Sequence, residues 1–158
     1  MPNDLAFTLV DIAGNTLHFD SFAYERSIEA ARGDWHDANW IRCRITLQTT
    51  IKAVHRNTVF RQSVNAELLT TELTELSNAL RAVVSAPGAE KAFRPIEPYI
   101  RLQLVKLDKL VRITARLDLA PAIGPVVEFT YECRPEEIEA TIAGIERVTA
   151  RFPERNVS

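Results

Sequence analysis

Between residues 40 and 52 the chain reads WIRCRITLQTTIK. Ile41, Cys43, Ile45, Leu47, Thr49 and Ile51 fall on one phase of a period of two; Arg42, Arg44, Thr46, Gln48, Thr50 and Lys52 fall on the other. Successive side chains of a strand point to opposite faces, so strict alternation marks an antiparallel strand with one buried and one wet face. The same period appears on either side of Ala13-Gly14-Asn15, at residues 5–11 and 17–19, and reads as a hairpin. It returns at 58–68, with Phe60, Val64, Ala66 and Leu68 inward and Arg61 outward, and again at 99–106, 110–119 and 126–133. Residues 23–38 break the pattern and predict a long acidic loop, with room for one helical turn at Ser27-Ile28-Glu29-Ala30-Ala31.

Twice the period lengthens. Leu73, Leu76, Leu80, Val83 and Val84 recur at helical spacing, which predicts a helix over about 71–85. Thr70 or Thr71 is its expected N-cap, Glu72 and Glu75 suit the positive end of its dipole, and Pro87-Gly88 stops it. Pro135 opens a second helix over about 135–152, with Ile138, Ile142, Ile145 and Phe152 as its apolar stripe and Pro153 as its end. Residues 154–158 read as a tail. Runs of antiparallel strands with two separated helices predict an α+β fold. The simplest version is a largely antiparallel twisted sheet of about seven or eight strands with both helices on its apolar face; a curved or sandwich-like arrangement is the alternative. A chain of 158 residues, 46% hydrophobic, suits a single domain over 1–158.

The net charge of −2 conceals a segregation. Residues 1–40 hold seven acidic and two basic side chains; residues 41–66 hold five basic and no acidic ones; residues 91–119 hold seven basic and three acidic. Arg42, Arg44, Arg61, Arg101, Arg112 and Arg116 all take outward phases of strands. Cross-strand pairing with Glu128, Glu132 or the acidic loops accounts for them. A recognition face for an anionic partner is the competing account, since guanidinium favours planar, multidentate contacts. A nucleic-acid face is the weaker version, because it needs exposed aromatics for stacking and only Tyr99 sits among these outward residues. With no basic leader and no apolar run of 18 residues, neither a signal peptide nor a membrane contact is expected, and the expected location is cytoplasmic. Cys43 and Cys133 lie on apolar phases and are expected to be buried free thiols.

The densest chemistry is GDWHDANW, residues 33–40. Asp34, His36 and Asp37 are ligand types, but a catalytic zinc takes three protein ligands, and no second motif joins these. No HExxH, CxxC, GxSxG or glycine-rich phosphate loop occurs. The expectation is therefore no catalytic residue, no cofactor and no metal, in a protein that is not an enzyme. Gly33-Asp34 and Asp37 read as turn formers, and Trp35 as an exposed anchor for a partner, beside His36 and Asp37.

Four stretches, in order, then carry a likeness. They are Asp37-Ala38-Asn39-Trp40-Ile41 before a long alternating strand, Leu69-Thr70-Thr71-Glu72-Leu73 at a helix start, Ile96-Glu97-Pro98 before a strand, and Val127-Glu128-Phe129-Thr130-Tyr131 feeding a helix that stops at Arg151-Phe152-Pro153. Together, from about residue 5 to 153, they resemble the WapI-type immunity proteins of bacteria. The resemblance implies a non-enzymatic antidote, encoded beside a polymorphic toxin, whose partner is the C-terminal domain of that toxin. The extended loop at 24–37 and the arginine-rich strands depart from the family pattern, so the likeness does not identify the toxin. Two faces offer themselves: the acidic loop with Trp35, His36 and Asp37 for a basic nuclease toxin, and the arginine sheet face for an acidic one. The alternative function is a nucleic-acid-binding domain that uses the arginine face. Oligomeric state is left open.

Overall fold

The computed structural model describes residues 5–157. The alternating segments form β1 (Phe7–Val10), β2 (Thr16–Tyr24), β3 (Trp40–Lys52), β4 (Asn57–Leu69), β5 (Glu90–Phe93), β6 (Ile100–Lys106), β7 (Val111–Asp118) and β8 (Val126–Cys133). Helices are α1 (Trp35–Asn39), α2 (Thr70–Ser85) and α3 (Pro135–Arg151). The α+β class and the two long amphipathic helices are as expected. The strands, however, make two four-stranded antiparallel meanders, β1-β2-β3-β4 and β5-β6-β7-β8, instead of one sheet. The periodicity of a strand fixes its faces but not which sheet it joins.

The two sheets meet at β1 and β8. Ile12 N–H donates to the Glu132 carbonyl at 2.9 Å, and the Tyr131 hydroxyl donates to the Thr16 carbonyl at 3.2 Å. One apolar cluster takes in Phe19, Ile45, Leu68, Leu76, Leu104, Ile113, Tyr131 and Ile145, so both sheets and both long helices share it. α2 packs on β4, β5 and β6; α3 packs on α2 and β1. Gly144 lies where α3 crosses β1, and a Cβ there would stand 2.6 Å from the Phe7 Cβ.

Local chemistry sets the details. In the β1–β2 turn the Asp11 carboxylate accepts from the Ala13 and Asn15 backbone N–H groups at 2.9 and 2.8 Å, with Gly14 at φ +83°. A bulge between Asp20 and Ala23, with Ser21 at φ +60°, shifts the phase of β2 so that Phe22 is buried after Phe19. Neither threonine caps α2. Its N-cap is Leu69, whose N–H is taken by the Glu72 carboxylate at 2.8 Å, while the other Glu72 oxygen accepts from Ile96 N–H. Thr70 is buried inside the first turn instead, its hydroxyl 3.4 Å from Asn39 Oδ1. Phe60 was expected to lie inward; it keeps the core phase but is exposed, because β3 and β4 run on past the core.

Candidate partner-binding surface

The acidic loop is built from the inside. Arg26 reaches Asp37 in an ion pair, and a turn from Ser27 to Ala31 precedes α1. Asp34 caps α1 by accepting from Asp37 N–H at 3.0 Å. Trp35, half-buried like Trp40, donates from Nε1 to Glu154 at 2.9 Å. Asn39 is buried and bonds Arg155 twice, accepting from its N–H at 2.7 Å and donating to its carbonyl at 3.1 Å. The Arg155 guanidinium lies over the Tyr24 ring, 3.2 Å from its centroid. Two of the residues expected as a tail, Glu154 and Arg155, are thus fastened to the loop. Of the three loop candidates, Trp35 and Asp37 are engaged within the protein, and His36 is exposed, its ring edge-on to Trp35.

The six candidate arginines divide three and three: Arg42, Arg44 and Arg61 on the outer face of the first sheet, Arg101, Arg112 and Arg116 on that of the second. Arg44 is spent on Asp20, which it grips through Nε and Nη2 at 3.0 and 2.8 Å, and its guanidinium holds that carboxyl below the usual range. Arg112 pairs with Glu132 at 2.8 Å, one of the expected cross-strand partners. Among the described residues, Arg42, Arg61, Arg101 and Arg116 make no ion pair within 4 Å. Arg101 stands directly opposite Arg116 in the β6–β7 register, and Arg94 lines the same depression. Arg42 stands opposite Glu67, whose carboxyl is pushed up by partial burial and by Glu25 and Glu97 nearby.

A third feature escaped the sequence reading. β2 pairs with β3 only as far as Thr16↔Gln48, whereas β3 and β4 stay paired out to Lys52↔Asn57. Asn15 closes the shorter ladder: its Oδ1 accepts from the Thr49 hydroxyl at 2.7 Å and from Thr50 N–H at 3.2 Å. Beyond that point residues 50–61 form a two-stranded arm, exposed throughout. The signal available was length, since β3 and β4 each have 13 residues and β2 only 9.

Candidate chemistry elsewhere is sparse. Burial pushes the Cys43 and Cys133 thiols up to about 12, which keeps them protonated. Among the described residues no three His, Cys, Asp or Glu side chains are grouped to hold a metal ion. His18 is bonded to Thr8 at 2.7 Å and lies 3.4 Å from Asp20. Among the described residues no helix is long and apolar enough to cross a membrane.

Two antiparallel meanders closed over two amphipathic helices, with unpaired arginines and a projecting arm outside, define an α+β fold whose distinctive surface is one of charge and shape. The chain belongs to the immunity protein WapI-like family, whose model matches residues 8–153. Comparison with curated proteins and with solved structures finds no match.

Proposed function

We infer that the protein neutralises a cognate bacterial toxin domain by direct protein–protein binding, without chemistry of its own. Family membership over residues 8–153 is the observation that carries this reading. The surface is compatible with it: a standard interface buries about 800 Å² on each partner, a small part of the 8956 Å² that the chain exposes. Charged residues at such an interface steer association more than they set affinity. The site is proposed to draw on the first sheet's unpaired arginines, Arg42 and Arg61, ahead of Trp35 and Asp37, because Trp35 is already bonded to Glu154 and Asp37 to Arg26.

The test is calorimetry of the purified protein against the C-terminal domain of the toxin-like reading frame beside its gene, with survival on co-expression as the biological readout. One-to-one binding in the nanomolar range, with protection of the producing cell, is expected. A folded protein that neither binds that domain nor protects against it refutes the reading and favours the nucleic-acid alternative, which predicts affinity falling steeply with salt.

A further inference from the structure

We propose that the β3–β4 arm, residues 50–61, is the element that docks into the toxin domain, and that the surface receiving it is acidic with an apolar cleft. This rests on the neutralisation reading and adds to it the site and the partner's chemistry.

The arm is two-faced. On the core phase, beyond where the core ends, it shows Ile51, 53% exposed, and Phe60, 37% exposed, opposite Thr58 and Thr49. On the other face stand Lys52, Arg61 and Val59, the last 60% exposed. The tip carries Val54, 93% exposed, with His55 and Arg56. Four large apolar side chains thus sit within ten residues, on a hairpin whose β4 strand is also a sheet edge. Exposed, apolar, β-branched edges invite aggregation and are ordinarily shortened, covered or charged. Here the edge is lengthened past the sheet, and charges of one sign are placed on it. No acidic residue occurs between 41 and 66, and among the described residues Lys52, Arg56 and Arg61 have no ion-pair partner. Unscreened cations of one sign complement an acidic surface. The apolar face is mostly aliphatic, with Phe60 its single aromatic ring. Such a face suits a protein cleft better than nucleic-acid bases, which are read by stacking on aromatic side chains. The Arg101–Arg116 pair is equally unpaired, but its depression shows one large exposed apolar side chain, Ile96, where the arm shows four, so it is the natural control.

The full chain is titrated with the purified C-terminal domain of the adjacent toxin-like reading frame, at low and high salt. Ile51→Ser with Phe60→Ser is expected to weaken binding at least about 100-fold, since each side chain loses its burial. Lys52→Glu with Arg61→Glu is expected to slow association about tenfold at low salt and to abolish its salt dependence. Arg101→Glu with Arg116→Glu, the same charge change elsewhere, is expected to stay within threefold. Thermal melts confirm that the variants fold, as substitutions on an exposed arm allow. If the wild type binds and both arm variants bind as well as it does, the arm is not the docking element. If sedimentation instead shows a wild-type dimer that Ile51→Ser with Phe60→Ser dissociates, the occupant is a second copy and the proposal falls. Salt-steep binding to duplex nucleic acid, lost in Lys52→Glu with Arg61→Glu, likewise overturns it. A wild type that does not bind the toxin domain removes the neutralisation reading itself, and the proposal with it.

Discussion

Replacing Asn39 with alanine tests whether GDWHDANW is a fastening. The side chain is fully buried and uses all of its hydrogen-bonding groups. Nδ2 donates to the Trp35 carbonyl at 2.9 Å and to the Arg155 carbonyl at 3.1 Å; Oδ1 accepts from Arg155 N–H at 2.7 Å and lies 3.4 Å from the Thr70 hydroxyl. Counting the three shorter bonds at about 0.5–1.5 kcal/mol each gives roughly 1.5–4.5 kcal/mol. The Arg155 groups are only partly buried, so water recovers some of this once the tail lifts, and about 2–3 kcal/mol is the expected loss. For a domain of this size 1 kcal/mol moves Tm by about 2–4 °C, so a fall of roughly 4–12 °C should accompany it. Urea titration gives the free energy, and hydrogen exchange at the Arg155 amide gives the location. Truncation after Pro153 should cost less in the Asn39→Ala background than in the wild type, because the two Asn39–Arg155 bonds are lost to both changes. Asn39→Asp sharpens the test. A carboxylate there faces two carbonyls, so its folded pKa lies above its unfolded one. Its penalty is absent below the unfolded value near 4, grows as pH rises toward the folded value and is then constant. An Asn39→Ala loss below about 1 kcal/mol, with the Arg155 amide still protected, would refute the reasoning.

Gly144→Ala should cost about 1–3 kcal/mol by urea titration despite alanine's better helix propensity, because its Cβ would stand 2.6 Å from that of Phe7; a stabilised variant would show that α3 does not sit this close to β1. Cys43 and Cys133 should be silent to a thiol reagent at pH 8 in the native protein and should both react in urea, since burial raises both thiols to about 12; stoichiometric labelling without denaturant contradicts this. Asp20→Asn should cost about 0.5–1 kcal/mol at pH 7. The Arg44 bond lowers the folded pKa of Asp20, so this stabilisation is present above the unfolded value and fades as pH falls through the folded one. Wild type and variant should therefore converge as acid titrates Asp20 in the folded protein, and a gap that persists once it is protonated removes the ion pair as its cause.

The burial of Ile41, Cys43, Ile45 and Leu47 was legible because the alternation of one strand suffices to set its faces. The same rule failed at Ile51 and Phe60. Burial there depends on whether a third strand and a helix reach that far, and β2 stops at Thr16. The start of α2 was placed within a residue, but its cap was not. A nearby threonine is the local solution, whereas this helix uses Glu72 to bind Leu69 and Ile96 together. A sandwich-like split was open from the sequence, but which strands join which sheet was not legible, since it turns on where β1 meets β8 across more than a hundred residues of chain. The tail looked free because its partners, Trp35, Asn39 and Tyr24, lie far upstream.

The arginines show how far a charge pattern reaches on its own. Sequence places all six on outward phases and offers two accounts, internal pairing or recognition; the structure pairs two of them with carboxylates and leaves four without an ion pair among the described residues. Arg44 and Arg112 have carboxylates at hydrogen-bond distance, whereas Arg116, directly opposite Glu128, makes no ion pair with it. Facing positions are therefore not enough, because an exposed pair must also repay the entropy of holding two long side chains in one geometry. What distinguishes Arg61 from the rest lies next to it: Lys52 and Arg56, no acidic residue in the stretch, and apolar side chains on an arm with no neighbouring strand. A charge pattern becomes an argument about binding where unpaired cations and uncovered apolar surface coincide, and among the described residues they coincide most densely at residues 50–61, with four exposed apolar side chains against the single Ile96 beside Arg101 and Arg116.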